Sequence, residues 1–99
     1  MKLDFSPRAL REASRCDRWW REHRPAARQL FDEELRHVLD QIRHAPNLGS
    51  AWKVEKSGRE YRRLLMPMTR HHIHYSISGP DHIRVHSVWS AVRGRLPRL

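Results

Sequence analysis

The residues best suited to chemistry are three histidines in the carboxyl-terminal half of the chain: His72, His74 and His86. Imidazole titrates near neutral pH, so it can both accept and donate a proton. Such groups could act as base and acid in phosphodiester cleavage, with the 2′-hydroxyl of RNA as the nucleophile. If the protein is an enzyme, we therefore predict a metal-free endoribonuclease with these three catalytic residues and no cofactor.

Arginines accompany the histidines in the same half of the sequence, at Arg62, Arg63 and Arg84. The guanidinium group binds phosphate through two parallel hydrogen bonds and can stabilise the charge that develops during phosphoryl transfer. We predict that these three arginines bind phosphate.

Two other interpretations of the histidines remain open at this point. His72 and His74, two positions apart, could bind zinc together with His86, although no acidic group is visible to support the ligands. Alternatively, these residues do no chemistry and are polar because one face of an antiparallel sheet is in water.

Alternation of residue types indicates how these groups are positioned. His72 and His74 alternate with Ile73 and Tyr75 along a predicted strand, 70–78, so the apolar pair should face the core and the histidines outward. In the next strand the same alternation turns Arg84 and His86 to that side. One of Arg62 and Arg63, in the preceding strand, must also face it. We predict a cluster of histidine and arginine on a sheet face that no helix covers.

The amino-terminal half supplies the helices. A short alternating strand runs into Ser6 and Pro7, which are typical of the first residues of a helix. Apolar residues then recur at helical spacing over 7–23 and 25–44. Breakers at 45–50 end this half, and four further strands are predicted, at 52–54, 60–66, 70–78 and 82–89.

These elements predict an α+β fold: an N-terminal strand, a two-helix hairpin and a three- to four-stranded antiparallel sheet. We expect a single domain over residues 1–92 and a basic C-terminal tail over 93–99. Cys16 is the only cysteine, which excludes an intrachain disulfide, and we expect it to be a small buried residue of a helix.

Charge points to the class of partner. The chain carries 20 Lys and Arg against 11 Asp and Glu, a net charge of +9, and most of the imbalance lies after residue 50. Acidic partners are therefore expected. No apolar run approaches the ~20 residues of a membrane-spanning helix, and the first residues lack the apolar core of a signal peptide. We expect a cytoplasmic protein that does not bind membranes.

Five segments in this order and spacing resemble the RelE/ParE superfamily of toxins from type II toxin–antitoxin systems: 3–9, 42–49, 61–64, 74–77 and 85–89. The resemblance covers nearly the whole chain and implies the fold predicted above. It also implies a cognate antitoxin protein whose acidic segment wraps the toxin.

The superfamily divides by target, and the resemblance leaves the division open. RelE-like members cleave mRNA in the ribosome with groups on the open sheet face, where Arg62 or Arg63 and His72 would stand for the family's basic residues. The tyrosine expected near the carboxyl end is absent from this chain.

ParE-like members poison DNA gyrase instead, and in that case we expect Trp89, Arg93 and Arg95 to contact the target. A third interpretation, a non-toxic basic nucleic-acid-binding module, depends on charge alone.

Overall fold

The computed structural model describes residues 1–92 and Pro97. This part of the chain contains two α-helices and five β-strands. In chain order they are β1 (Lys2–Phe5), α1 (Pro7–His23), α2 (Leu30–His44), β2 (Ser50–Lys53), β3 (Glu60–Met66), β4 (His71–Ser78) and β5 (His82–Ser90). Short 3₁₀ turns lie at Pro25–Ala27 and Pro46–Leu48. The predicted α+β fold is confirmed.

The strands form one five-stranded sheet in the order β1-β5-β4-β3-β2. β2 to β5 pair in antiparallel fashion, as predicted, whereas β1 pairs in parallel with β5, with Leu3 opposite Ile83. A parallel pair needs a long crossover, and α1 begins that crossover directly after β1. The N-terminal strand therefore belongs to the same sheet and makes it mixed.

α1 begins where the sequence predicts. The Ser6 side chain accepts a hydrogen bond from Ala9 N at 3.0 Å, and Pro7 occupies the first turn, where its missing N–H leaves nothing unpaired. The second helix does not begin at Pro25 as predicted. Ala27 N instead donates to Arg24 O, which closes a 3₁₀ turn, and the α-helical pattern starts at Leu30.

The core lies between the helices and one face of the sheet. α2 contributes Phe31, Val38 and Ile42, and the sheet contributes Ile73 and Val85 among others. Complete burial of one such side chain stabilises the fold by about 1.5–3 kcal/mol. Cys16 packs at the edge of this core and is only half-buried, not fully buried as expected.

Glu34 is a buried carboxyl group that connects α2 to the turn between β3 and β4. Its oxygens accept hydrogen bonds from Met68 N, Thr69 N and the Thr69 hydroxyl, at 2.7 to 2.9 Å. These bonds satisfy the buried polar groups of the turn and fix the point where β4 begins. In residues 1–92, and at Pro97, no helix has the length and apolar character needed to cross a membrane.

Candidate functional site

The predicted cluster lies on the sheet side that faces away from the core, which we name the open face. Strand register places its members together across four strands: Arg63 stands opposite His74, which stands opposite Ser87, and His72 stands opposite Trp89. The open face comprises Trp52, Tyr61, Arg63, Leu65, His72, His74, Ser76, Arg84, His86, Ser87 and Trp89. All three predicted histidines share this side.

His74, at the centre of the open face, is completely buried, with no exposed surface. The Trp52 ring stands edge-on with its centroid 5.5 Å from that of His74, and the His72 ring lies 6.1 Å away. Neither ring nitrogen of His74 has a hydrogen-bond partner among the described residues. The sequence pattern placed His74 on the correct side but wrongly in contact with solvent, because the Trp52 ring packs against it from β2 across the intervening strand β3.

Burial also determines the charge of the three histidines. It lowers the pKa of His74 to about 4, and electrostatic repulsion from His72, Arg63 and Arg8 acts in the same direction. The pKa values of His72 and His86 are also lowered, chiefly by burial and then by nearby arginines. Burial on the open face therefore favours the uncharged form of all three imidazoles.

His86 occupies a β-bulge in β5. The pairing passes from His74 opposite Ser87 to Tyr75 opposite Val85, so His86 is the extra residue. Its Nε2 lies 2.7 Å from the Ser76 hydroxyl, and its ring meets the Tyr61 ring edge-on at 5.1 Å.

A cleft of about 450 Å³ adjoins His86, and Arg59 and Arg84 line its walls. The combination of hydroxyl, imidazole and guanidinium groups can bind an anion. Arg84 also donates to Asp4 at 2.9 Å, so part of its charge is already balanced.

The paired arginines of β3 face opposite ways. Arg63 joins the open face beside His74. Arg62 points to the other side, where its guanidinium donates to the backbone oxygens of Asn47 and Gly49 at 3.2 and 2.8 Å. Of the three arginines predicted to bind phosphate, Arg62 thus supports the loop before β2 and does not reach the cluster.

Sequence reasoning missed the contribution of α1 to this site. Arg8 places its guanidinium 5.7 Å from the centre of the Trp89 ring, close enough for a cation–π contact. Glu12 accepts hydrogen bonds from the Ser87 hydroxyl at 2.8 Å and from Val88 N at 3.1 Å. Helical spacing shows which residues avoid the core, but not that α1 lies against β5. The predicted target contacts Arg93 and Arg95 lie outside the described residues.

The zinc interpretation finds no support in the geometry. Over residues 1–92 and Pro97, no group of three or more His, Cys, Asp or Glu side chains is arranged to hold a metal ion. The open face offers a different set of properties: buried or half-buried imidazoles, partly exposed guanidinium groups, and the half-buried aromatic rings of Trp52 and Trp89.

Two solved structures of toxins or toxin–antitoxin systems have a similar fold. The chain resembles the solved structure "Chromosomal ParDE TA system from P. aeruginosa", with a TM-score of 0.68, 14% identity and coverage of 91% of this chain and 95% of that chain. It also resembles the "YoeB/ParE toxin from Agrobacterium tumefaciens", with a TM-score of 0.60, 15% identity and coverage of 91% and 98%.

No curated protein matches the sequence. The family model described as "ParE toxin of type II toxin-antitoxin system, parDE" matches residues 3–94, nearly the whole chain. This match confirms the resemblance to the RelE/ParE superfamily. The chain belongs to the ParE toxin family of type II toxin–antitoxin systems.

Proposed function

We propose that this toxin acts by binding DNA gyrase, as the resemblance to ParE-like members implies, and that it does not cleave RNA. The burial of His74 at the centre of the open face is the main support for this proposal. His74, the central imidazole of the cluster, has no exposed surface and cannot touch a scissile phosphate in this structure. A ribonuclease needs a base and an acid in contact with the reacting atoms.

The state of the other histidines supports the same choice. His72 and His86 are half-buried, and the pKa of each is lowered by burial and by neighbouring arginines. Neutral imidazoles can accept a proton, but a leaving group needs a donor that is already protonated. Burial therefore favours the form of these side chains that accepts a proton over the form that donates one.

Purified toxin tests the proposal directly when it is incubated with gyrase, ATP and plasmid DNA. We expect linear DNA to accumulate from trapped cleavage complexes. Trp89→Ala should reduce this activity at least 10-fold, and removal of residues 93–99 should abolish it, because these positions are the proposed gyrase contacts. Trp19→Ala is the matched control, since Trp19 is a 43% exposed tryptophan on α1 outside the open face. Absence of any effect on gyrase would refute the proposal.

RelE-like cleavage of translated mRNA is the second candidate. It is favoured by one observation: His72, His86, Arg63 and Arg84 all share the open face. Programmed ribosomes incubated with the toxin test it, with primer extension as the readout. Our first proposal expects intact message. Cleavage that disappears in the triple variant His72→Ala, His74→Ala, His86→Ala would instead establish the enzyme.

We also propose a cognate antitoxin with an acidic segment as the partner in the cell. The net charge of +9 supports this pairing, and the solved relative from P. aeruginosa is a toxin–antitoxin system. Because gyrase acts in the cytoplasm, the proposal also places the toxin there. If the adjacent reading frame encodes a short protein with an acidic segment, its co-expression should restore growth and yield a complex that dissociates as salt rises. Growth unaffected by the toxin alone would favour a non-toxic basic module.

A further inference from the structure

A cavity of about 390 Å³ lies on the helix side, between the second half of α1 and the start of β4. Trp19 and Trp20 form apolar parts of its wall. Arg15, Arg24 and Arg70 also line it, so the cavity combines an apolar surface with positive charge. Nothing in the proposed action on gyrase uses this place.

Cys16 and His71 meet in the wall of this cavity. The Cys16 sulfur lies 3.4 Å from Nε2 of His71. The other ring nitrogen of His71, Nδ1, lies 2.9 Å from the backbone oxygen of Thr69. A carbonyl oxygen can only accept a hydrogen bond, so Nδ1 carries the proton and Nε2 presents its lone pair to the thiol.

The histidine is also held in place by packing. Its ring lies 5.3 Å from the buried Phe31 ring, and the Thr69 residue that orients it is itself fixed by Glu34. A nucleophile, a base in hydrogen-bond contact and a group that orients the base form the arrangement used for thiol activation.

We propose that Cys16, with His71 as its base, is a site of reversible thiol modification by small anionic disulfides. The chemical class follows from the cavity: the arginines attract carboxylates, and the tryptophans accommodate an aliphatic chain. This site is separate from the open face and does not depend on the toxin's target.

The reaction is a thiol–disulfide exchange and is balanced. The Cys16 proton passes to Nε2 of His71, and the thiolate attacks one sulfur of the small disulfide. A new S–S bond forms to Cys16 while the old S–S bond breaks. The second sulfur leaves as a thiolate and receives the proton from His71, so that one disulfide and one thiol are present before and after the step.

Oxidised glutathione is the probe for the test, and intact-protein mass measures the rate at which one glutathionyl group is added. Because Cys16 is the only cysteine, no other thiol competes. At pH 7 we expect the protein to react about 10-fold faster than free N-acetylcysteine, since an unassisted thiol ionises only near pH 8.5. A rate no higher than that of N-acetylcysteine would overturn the proposal without any mutation.

Two pairs of variants test separately the role of His71 as the base and the role of Arg15 in attracting an anionic disulfide. His71→Gln should lower the rate about 10-fold, whereas His37→Gln, at an exposed position of α2, should leave it unchanged. Arg15→Ala should slow the reaction of Cys16 with oxidised glutathione but not its reaction with the cationic disulfide cystamine. Arg18→Ala, at an exposed position of the same helix, is the matched control. Equal rates for His71→Gln and the unmodified protein, with both folded by circular dichroism, would refute the role of His71.

Discussion

On the helix-covered face of the sheet, the Tyr75 hydroxyl donates to Pro46 O at 2.7 Å and accepts from Gly49 N at 3.0 Å. The preceding residue, His74, is just as deeply buried on the open face, yet both of its ring nitrogens lack a partner among the described residues. An unpaired polar group in the interior costs about 1–3 kcal/mol. Two adjacent buried residues of β4 thus differ in whether their polar atoms are hydrogen-bonded.

The difference indicates that polar groups on the helix-covered face stabilise the fold, whereas those on the open face serve function. On the helix side, Glu34, Arg62 and Tyr75 each bind backbone groups of a loop or turn. On the open side, the buried imidazole of His74 has no such compensation among the described residues. Proteins accept costs of this kind mainly at functional sites. The variants below should therefore change stability in opposite directions on the two faces.

The largest effect is expected from Glu34→Ala on the helix-covered face. The change removes the acceptor for Met68 N, Thr69 N and the Thr69 hydroxyl and leaves a cavity under the β3–β4 turn. The free energy of unfolding in urea should fall by about 3 kcal/mol. Glu33→Ala, its exposed neighbour, should change it by about 0.5 kcal/mol or less. Equal losses for the two variants would contradict this interpretation.

The second effect is a loss of stability in mild acid that arises from His74. Its pKa is about 4 in the folded protein and about 6.5 in an unfolded chain, so the unfolded state binds more protons between these values. The free energy of unfolding is therefore not reduced by His74 above about pH 6.5. It falls by about 2–3 kcal/mol as the pH decreases toward 4. Urea unfolding at pH 7 and pH 4.5 measures it. His74→Leu should lose distinctly less over the same interval.

Tyr75→Phe should cost about 1–2 kcal/mol, because it leaves Gly49 N–H buried without an acceptor. Gly49 packs closely on this ring, since a Cβ added at Gly49 would lie 2.8 Å from the Tyr75 hydroxyl oxygen. Thermal unfolding at pH 7 gives the readout. An unchanged melting temperature would show that the hydroxyl contributes nothing net.

The smallest effect has the opposite sign. His74→Leu replaces an unsatisfied imidazole with an apolar side chain of similar size, and should raise the free energy of unfolding at pH 7 by about 1 kcal/mol. Leu65→Ala, at a 39% exposed position of the open face, is a control for general disturbance of this side. A destabilised His74→Leu would remove the contrast between the two faces.

Local patterns were sufficient for much of this architecture. Ser6 and Pro7 mark the start of α1, and the alternation around Ile73 and Tyr75 assigns the faces of β4, because both signals depend on residues close in sequence. The parallel pairing of Leu3 with Ile83 could not be predicted in this way, since it joins distant strands without a local signature.

The same limit applies to the candidate site. The sides of Arg62 and Arg63 depend on the register between β3 and β4, which their own sequence leaves undecided. The burial of His74 depends on Trp52, which reaches it from β2 across an intervening strand. The bulge at His86 is likewise a property of paired strands and not of one strand alone.

Glu12 gives the sheet a protected border. β1 ends at Phe5, so among residues 1–92 and Pro97 no strand pairs with the outer edge of β5 beyond Val85, and the Glu12 carboxylate accepts the Val88 N–H there. An edge with unpaired backbone groups is a template for another chain. By accepting this N–H with a side chain, α1 takes up one backbone donor through which another chain could pair with β5.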